Sequence, residues 1–345
     1  MSGLASTWDE PGAVAVAPGV HRIPLPLPGD GLRAVNVYAI EDGGRIALVD
    51  GGSPHPEAGN AIKAGLAEIG AGLADVSVVL CTHGHYDHYG LATAVSAASG
   101  ATVALGEHEL GLLRAASQRD VYQDSVRDRR RWLRRHGAGA IIGRENPAGS
   151  DRSAPGAAWR LPDRWLIGGE QVELAERTLR VLWTPGHTRG HVVFHDLDDG
   201  LLFAGDHVLP HITPSLGFEP FPDGRALELF LSSLELVRGL AVELVLPGHG
   251  AEFADLDGRV DALVEHHRER LARCLALLSR SPGSASEVAR GLKWTRSDRD
   301  LTELDAFNRM LAVMETATHL ELLVRDGHVR HNDDDDGLRT YAIAA

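Results

Sequence analysis

The sequence is poor in cysteine and long apolar runs, and each shortage excludes a class of protein. Only Cys81 and Cys274 occur in 345 residues, so a disulfide framework is excluded and a cytoplasmic location is expected. No run of about 18 apolar residues occurs, which predicts no spanning helix and no membrane partner. The N-terminus lacks a basic segment followed by an apolar one, so no secretory signal is expected.

Positive charge is also scarce. The 34 Lys and Arg residues face 48 Asp and Glu residues, a net charge of −14, which argues against nucleic acid as the default partner. Hydrophobic residues make up 43% and charged residues 24%, which is ordinary for a globular protein. Histidine is abundant, with 18 copies against 5 Tyr and 7 Phe. The positions of the histidines therefore decide the functional interpretation.

Short apolar runs alternate with helical patterns over the first two thirds of the chain. This alternation favours a layered α/β domain whose strands are covered on both faces. Strands are predicted at 35–40, 46–49, 76–80, 102–105, 178–183, 192–195, 201–204 and 243–246, and helices at 56–69, 90–98 and 225–238.

Residues 106–163 differ from this pattern and are predicted to form an insertion. Eight arginines cluster between positions 114 and 135 in one predicted helix, and a Gly/Pro/Ser-rich stretch follows at 138–155. Two interpretations stand: a solvated helix with a surface loop, or a lid that attracts anionic groups.

The character changes again after residue 255, which predicts two domains, 1–255 and 256–345. The second begins with an amphipathic helix whose apolar face includes His267 and Cys274. Ser284 and Glu287 have the spacing of a capping box that starts a further helix. A longer helix is predicted at 301–323, and a hairpin pairs 328–332 with 338–343. Helices followed by a hairpin predict a small winged-helix-like appendage.

The densest chemical signal follows the predicted strand 76–80. It reads Thr-His-Gly-His-Tyr-Asp-His and places His83, His85, Asp87 and His88 within six residues. Three imidazoles and a carboxylate at a strand end form a dense set of candidate metal ligands, with a polar loop as the alternative, and the end of a strand is where α/β folds usually hold their chemistry.

Three later strands end in the same way. His187 follows strand 178–183, Asp206 follows strand 201–204, and His249 follows strand 243–246, each close to a glycine that allows tight backbone approach. One such histidine would be weak evidence of function. Four strand ends that together supply seven candidate ligands are strong evidence of a shared site.

These motifs resemble the metallo-β-lactamase superfamily over roughly residues 15–255. The resemblance implies an αββα sandwich with a dinuclear site at one edge of the sheets. By the same resemblance, His83, His85 and His187 bind one metal ion, Asp87, His88 and His249 bind the second, and Asp206 bridges the two. Asp50, at the end of another strand, resembles the strand-end aspartate of the family and orients a ligand, with a turn-forming role as the alternative.

The chemistry of these side chains supports the implied roles. Imidazole and carboxylate ligands without thiolates suit zinc, two ions per chain, with iron or manganese as alternatives. Such a pair holds a bridging hydroxide that attacks an electrophilic carbon or phosphorus, with Asp87 among the catalytic residues. His191 is predicted to orient a ligand or donate a proton, with a backbone-satisfied histidine as the alternative. Tyr89, Arg189 and His211 are predicted to meet the substrate, although Tyr89 could instead pack.

The leading functional hypothesis is a metal-dependent hydrolase of a small acyl compound, a thioester or lactone. The alternatives are an endoribonuclease or phosphodiesterase, which the arginine cluster favours, and a β-lactam hydrolase. A DNA-binding appendage is disfavoured, because residues 282–345 carry 8 Lys and Arg against 12 Asp and Glu. A small-molecule substrate, no DNA and a homo-oligomer are the expected partners. The remaining histidines, including His136, His195 and His319, are expected at the surface or in turns.

Overall fold

Seven strands form the first of two stacked sheets, in which each strand pairs with the next along the chain. The computed structural model describes residues 8–28, 31–139, 159–295 and 297–344. Pairing is antiparallel from β1 to β4 and parallel from β4 to β7. The strands are β1 (Val14–Ala17), β2 (Val20–Pro26), β3 (Ala34–Asp42), β4 (Arg45–Val49), β5 (Val76–Cys81), β6 (Thr102–Gly106) and β7 (Arg164–Leu166).

The second sheet has five strands in the order β12-β11-β10-β9-β8. Only the β11–β12 pair is parallel. Its strands are β8 (Gln171–Glu173), β9 (Thr178–Trp183), β10 (Val192–Asp196), β11 (Leu201–Gly205) and β12 (Leu244–Pro247). Every strand predicted from the sequence is present, while β1, β2, β7 and β8 were not predicted.

Helices cover the outer faces of both sheets. On the first sheet, α1 (Pro56–Glu68), the short α2 (Tyr86–Tyr89) and α3 (Ala92–Ser99) complete an apolar core. A second core lies between the sheets and includes Tyr38 and Phe203, whose rings meet edge to face at 5.6 Å. A third core packs the second sheet against α6 (Ala226–Val237) and α7 (Leu256–Leu278). The predicted αββα sandwich is therefore confirmed.

The insertion contains two helices, α4 (Leu110–Ser117) and α5 (Arg119–Arg135), where the sequence predicted one. The break is at Gln118, whose backbone is extended (φ −110°, ψ 121°). Arg127 and Arg131 form ion pairs with aspartates one turn earlier, and Arg135 pairs with Asp333 near the C-terminus. The insertion is thus tied to the C-terminal region. The Gly/Pro/Ser-rich stretch from 140 onward lies outside the described residues.

The C-terminal region contains α7, α8 (Ala285–Arg290), α9 (Ala306–Arg325) and the hairpin β13 (Val329–Asp333) with β14 (Arg339–Ile343). The capping box at Ser284 is confirmed. The long helix starts at Ala306 instead of residue 301, because Asp305 caps it through the Asn308 N–H. The boundary at 255 and the winged-helix description stay predictions. Helix α7 contributes Val260 and Leu263 to the third core, on the second sheet, and Cys274 and Leu278 to a fourth core with α8 and α9.

The structure corrects the expectation for three histidines. His136, His195 and His319 are buried, with at most 2% of their surface exposed. His319 accepts a hydrogen bond from His267 and donates one to the Glu315 carbonyl at 2.8 Å. Sequence position alone did not reveal them because each is buried by elements distant in the chain. Among the described residues, no helix is both long and apolar enough to cross a membrane.

Candidate metal centre

Seven side chains from four strand ends meet at one edge of the two sheets. The loop and helix after β5 supply four of them, and the ends of β9, β11 and β12 supply one each. Their nitrogen and oxygen atoms fall into three groups whose members lie within 4.8 Å of one another. The groups are His83, His85 and His187; His83, His88 and Asp206; and Asp87, His88 and His249. All seven predicted ligands are therefore brought together in space.

The first half of the cluster consists of three imidazoles. His85 Nδ1 and His187 Nε2 lie 2.9 Å apart. His187 donates from Nδ1 to the Ser215 carbonyl at 2.8 Å, which leaves its Nε2 without a proton. The Thr82 hydroxyl donates to Asp50 at 3.0 Å and therefore accepts from His83 Nδ1, so the Nε2 atom of His83 is also free to bind an ion.

The second half combines imidazoles with carboxylates. His249 Nε2 lies 3.3 Å from Asp87 Oδ2 and 3.5 Å from Asp206 Oδ1, and His88 Nε2 lies 3.4 Å from Asp206 Oδ1. The other oxygen of Asp206, Oδ2, lies 3.4 Å from His187 Nε2 in the first half. Asp206 thus faces both halves, one oxygen to each.

The electrostatics of the two halves are opposite. Burial lowers the pKa of His85 to about 3, and the His187 imidazole adds to this effect. Burial likewise lowers the pKa values of His83 and His187. Burial also opposes the charged form of His88 and His249, but carboxylates outweigh it and raise both pKa values, chiefly Asp50 for His88 and Asp206 for His249. The cluster therefore divides into a neutral three-histidine half and an acidic half.

Asp50 orients the second half from behind. It follows β4 and is 2% exposed; its Oδ2 accepts from His88 Nδ1 at 2.8 Å, and its Oδ1 accepts from the Thr82 N–H at 2.8 Å. Its backbone has φ +64°, a left-handed conformation that aspartate adopts more readily than most residues. Asp50 thus contacts the predicted ligand His88, as the ligand-orienting alternative drawn from the sequence requires.

Several buried polar atoms in the cluster have no hydrogen-bond partner. They are Nε2 of His83, His85, His88 and His249, and Oδ1 of Asp206. Unpartnered buried polar atoms are costly, and those of His88 and His249 lie 3.4 and 3.5 Å from Asp206 Oδ1, an arrangement that a bound cation would satisfy. Four imidazoles are held through their other nitrogen, those of His83, His88, His187 and His249. Imidazoles held in this way, together with carboxylates, are a donor set that fits a divalent metal. The residues present therefore form a possible metal site.

The other predicted site residues lie around this cluster. His191 is buried and both its nitrogens are engaged: Nε2 accepts from the Asp206 N–H at 3.1 Å, so Nδ1 donates to the Thr184 hydroxyl at 2.9 Å. Tyr89 packs in the core, stacked on Trp159, and its hydroxyl donates to the Arg160 carbonyl at 2.7 Å. The packing alternative thus describes the contacts of Tyr89.

Arg189 and His211 lie nearer the surface. The Arg189 guanidinium pairs with Asp223 at 2.9 Å and donates to the Phe221 carbonyl at 2.7 Å. Arg189 also borders a cavity of about 100 Å³ that Leu112, Phe221 and others line. His211 is exposed on the segment after β11.

Sequence reasoning missed two buried glutamates beside the cluster. Glu109 is 1% exposed and Glu219 is 7% exposed, and both line the same cavity. Burial raises the pKa of Glu109 to about 7 and that of Glu219 to about 8. Glu219 accepts from the Arg189 N–H at 2.7 Å. Neither belongs to a motif, and their hydrogen-bond donors are remote in sequence, so no local signal could have identified them.

The segment that carries Ser215 and Glu219 is held from behind by α9. Gly217 has φ +86°, and a Cβ there would lie 2.8 Å from the Thr318 side chain. Arg325 donates to the Gly224 carbonyl at 2.9 Å. Helix α9 thus contacts the segment whose Ser215 carbonyl accepts from His187.

Comparison with known proteins supports the interpretation of the cluster. A sequence model described as the metallo-beta-lactamase superfamily matches residues 30–249. A metallo-beta-lactamase family protein from Thermus thermophilus is 32% identical, with a TM-score of 0.78 over 95% of this chain and 100% of that chain. A beta-lactamase domain protein from Burkholderia ambifaria is 26% identical, with a TM-score of 0.75 over 99% of this chain and 97% of that one.

Curated relatives match over a shorter stretch. The lactamase-like protein nscB of Neosartorya fischeri is 34% identical over 121 residues, which is 34% of each chain. An atrochrysone carboxyl ACP thioesterase of Aspergillus terreus is 28% identical over 116 residues. The chain spans about a third of the length of these curated relatives. From the match over most of the sandwich and the shared fold, the chain belongs to the metallo-beta-lactamase superfamily.

Proposed function

We propose that the protein is a metal-dependent hydrolase that uses two zinc ions to cleave a small acyl substrate, a thioester or a lactone. The observation that carries the proposal is the group of buried, unpartnered imidazole and carboxylate atoms, which converge from three strand ends and are joined by His187 from a fourth. Such a group is expensive to bury without a cation and is well suited to holding one.

The two halves of the cluster suggest how the ligands divide. His83, His85 and His187 would hold one ion, and Asp87, His88 and His249 the other. Asp206 would contact both, since its two oxygens face different halves. Bound zinc supplies a Lewis acid and lowers the pKa of bound water toward neutrality. The same imidazole and carboxylate ligands would also suit iron or manganese, which are the alternatives to zinc.

The surrounding residues would position the ligands. Asp50 would hold His88 in the tautomer whose Nε2 is free, and His191 would hold the backbone of Asp206. With both nitrogens engaged, His191 is better suited to positioning than to donating a proton to a leaving group. Arg189 and His211 stay proposals as substrate contacts, since both are nearer the surface.

Two observations favour an acyl substrate: the name of one relative, and the ion pairs formed by arginines of the 114–135 cluster. One relative is named an atrochrysone carboxyl ACP thioesterase. The arginine cluster was one support for the nuclease alternative, and three of its eight arginines, Arg127, Arg131 and Arg135, pair with aspartates. Solved β-lactamases are similar at 20% identity or less, which supports the fold alone.

The test is metal analysis followed by a substrate panel. Purified protein is measured for metal content, and then zinc-loaded and chelated forms are assayed on acyl thioesters of coenzyme A and glutathione, lactones, a β-lactam and single-stranded RNA. We expect two zinc ions per chain and thioester or lactone turnover that chelation abolishes and zinc restores. RNA or β-lactam cleavage without acyl turnover would overturn the substrate proposal, and protein that binds no metal would overturn the whole proposal.

A further inference from the structure

Glu109 lies outside the proposed ligand set but contacts both loops of its three-histidine half. It follows β6 at the start of the insertion and is 1% exposed. Its Oε1 accepts from the Thr188 hydroxyl and from the Gly190 N–H at 3.2 Å. Its carboxylate also accepts from the Gly84 N–H.

These donors belong to the loops that carry the histidines. Gly84 lies between His83 and His85, and Thr188 directly follows His187. One buried carboxylate therefore joins two loops that are about 100 residues apart in sequence, as the separation of 102 between His85 and His187 shows. Because a buried donor left without a partner costs free energy, the hydrogen bonds to Glu109 couple the positions of the two loops.

The two loops pack closely against Glu109 at two glycines. A Cβ on Gly84 would lie 2.9 Å from Glu109 Oε2, and a Cβ on Gly190 would lie 2.2 Å from the Glu109 backbone nitrogen. Both loops reach Glu109 only because these positions are glycine. A shift of the carboxylate would consequently move one loop or the other.

We propose that Glu109 is a positioning residue that sets the spacing between the His83–His85 loop and the His187 loop, and so controls metal affinity at the three-histidine half. The inference rests on the proposed function, because it requires that the cluster binds metal. The critical distance is between His85 Nδ1 and His187 Nε2, which come from the two loops that Glu109 joins. Side chains that orient metal ligands are typically worth about 10–100-fold in metal affinity.

The experiment compares E109Q with E107Q. Glutamine at 109 keeps the size of the side chain but replaces one acceptor oxygen with a donor, so it cannot accept from all three groups. Glu107 is exposed two residues away and is the matched control. Zinc affinity is measured at each site by competition with a chromophoric chelator, and the visible spectrum of the cobalt-loaded protein reports the geometry of the site.

We expect E109Q to bind one of two zinc ions about 10–100-fold more weakly and to change the cobalt spectrum, while E107Q matches the wild type. The proposal would be overturned if E109Q bound zinc at both sites with wild-type affinity, or if its affinity fell by the same factor at both sites. If the wild type itself binds no metal, the proposed function fails instead, so the two failures are distinguishable.

Circular dichroism and thermal unfolding of the chelated forms show whether E109Q folds. If it does not, T188V removes only the hydroxyl donor and leaves the carboxylate in place. A several-fold loss of affinity at one site in T188V would support the proposal, and unchanged affinity at both sites would contradict it.

Discussion

The D50N substitution isolates the charge of Asp50 from its backbone role. Asparagine adopts the left-handed conformation about as readily as aspartate, so φ +64° at this position should persist. The amide cannot accept from both His88 Nδ1 and the Thr82 N–H, because one oxygen has become an NH₂ donor. The variant must therefore lose one hydrogen bond or force the proton of His88 onto Nε2, where it would block the lone pair that faces Asp206.

The expected size of the effect follows from the hydrogen bonds lost. A hydrogen bond to a charged group contributes about 1.5–3 kcal/mol. At about 1.4 kcal/mol for each tenfold change, this corresponds to roughly 10–100-fold weaker metal binding at the half of the cluster that contains His88. The free energy of unfolding of the chelated protein should fall by a similar amount, because the carboxylate is buried with its partners.

Chelator competition measures the metal affinity, and urea unfolding of the chelated protein measures stability. D298N is the matched control: Asp298 also has a left-handed backbone (φ +53°), but its side chain is exposed. We expect D298N to match the wild type in both assays. If D50N also binds both ions with wild-type affinity, the idea that Asp50 fixes the tautomer of His88 is wrong.

Two further substitutions test the packing and the buried histidines. In G106A the new Cβ would lie 2.1 Å from the Gly190 carbonyl oxygen, so we expect the free energy of unfolding to fall by about 1–3 kcal/mol or more. In the control G111A the new Cβ has no described atom within 4 Å, so this variant should be neutral or slightly stabilised. Equal stability of the two variants in urea unfolding would contradict the close approach at Gly106. Burial lowers the pKa of His319 to about 3, below the value of about 6.5 expected in the unfolded chain, so its contribution to stability is present above pH 6.5 and is lost as the pH falls toward 3. Between those values, the unfolding free energy of H319Q should decrease less steeply than that of the wild type, by about 1.4 kcal/mol per pH unit, and parallel curves for the two proteins would refute this assignment.

The sequence predicted the ligand cluster because its signal is local. Each apolar strand ends at a His or Asp near a glycine, and strand ends of layered α/β folds meet at one edge. His83, His187, Asp206 and His249 could be related to one another in this way without any distances. The resemblance to a known family then assigned their order, which the distances around Asp206 accommodate.

Other features depend on contacts that no local pattern encodes. The strand β2 was not predicted because it contains Pro24 and Pro26, and proline is unusual inside a strand. In the structure β1 pairs with β2 only as far as Arg22, so on that side the two prolines need no N–H to donate. Glu109 was missed because its donors lie on loops distant in sequence. His319 was misjudged for the same reason, since α7 and α9 bury it from positions far apart.

The support that α9 gives to the segment 215–224 bears on how this protein can be shortened or recombined. A chain ending at residue 249, where the superfamily match stops, would keep every proposed ligand and both sheets. It would nevertheless lose Thr318, which packs against Gly217, and Arg325, which donates to the Gly224 carbonyl. Exchange of the C-terminal third between homologues should therefore preserve the residues that contact Gly217 and Gly224. Otherwise the recombined protein would keep all its proposed ligands but lose contacts that hold the segment 215–224, whose Ser215 carbonyl accepts from His187.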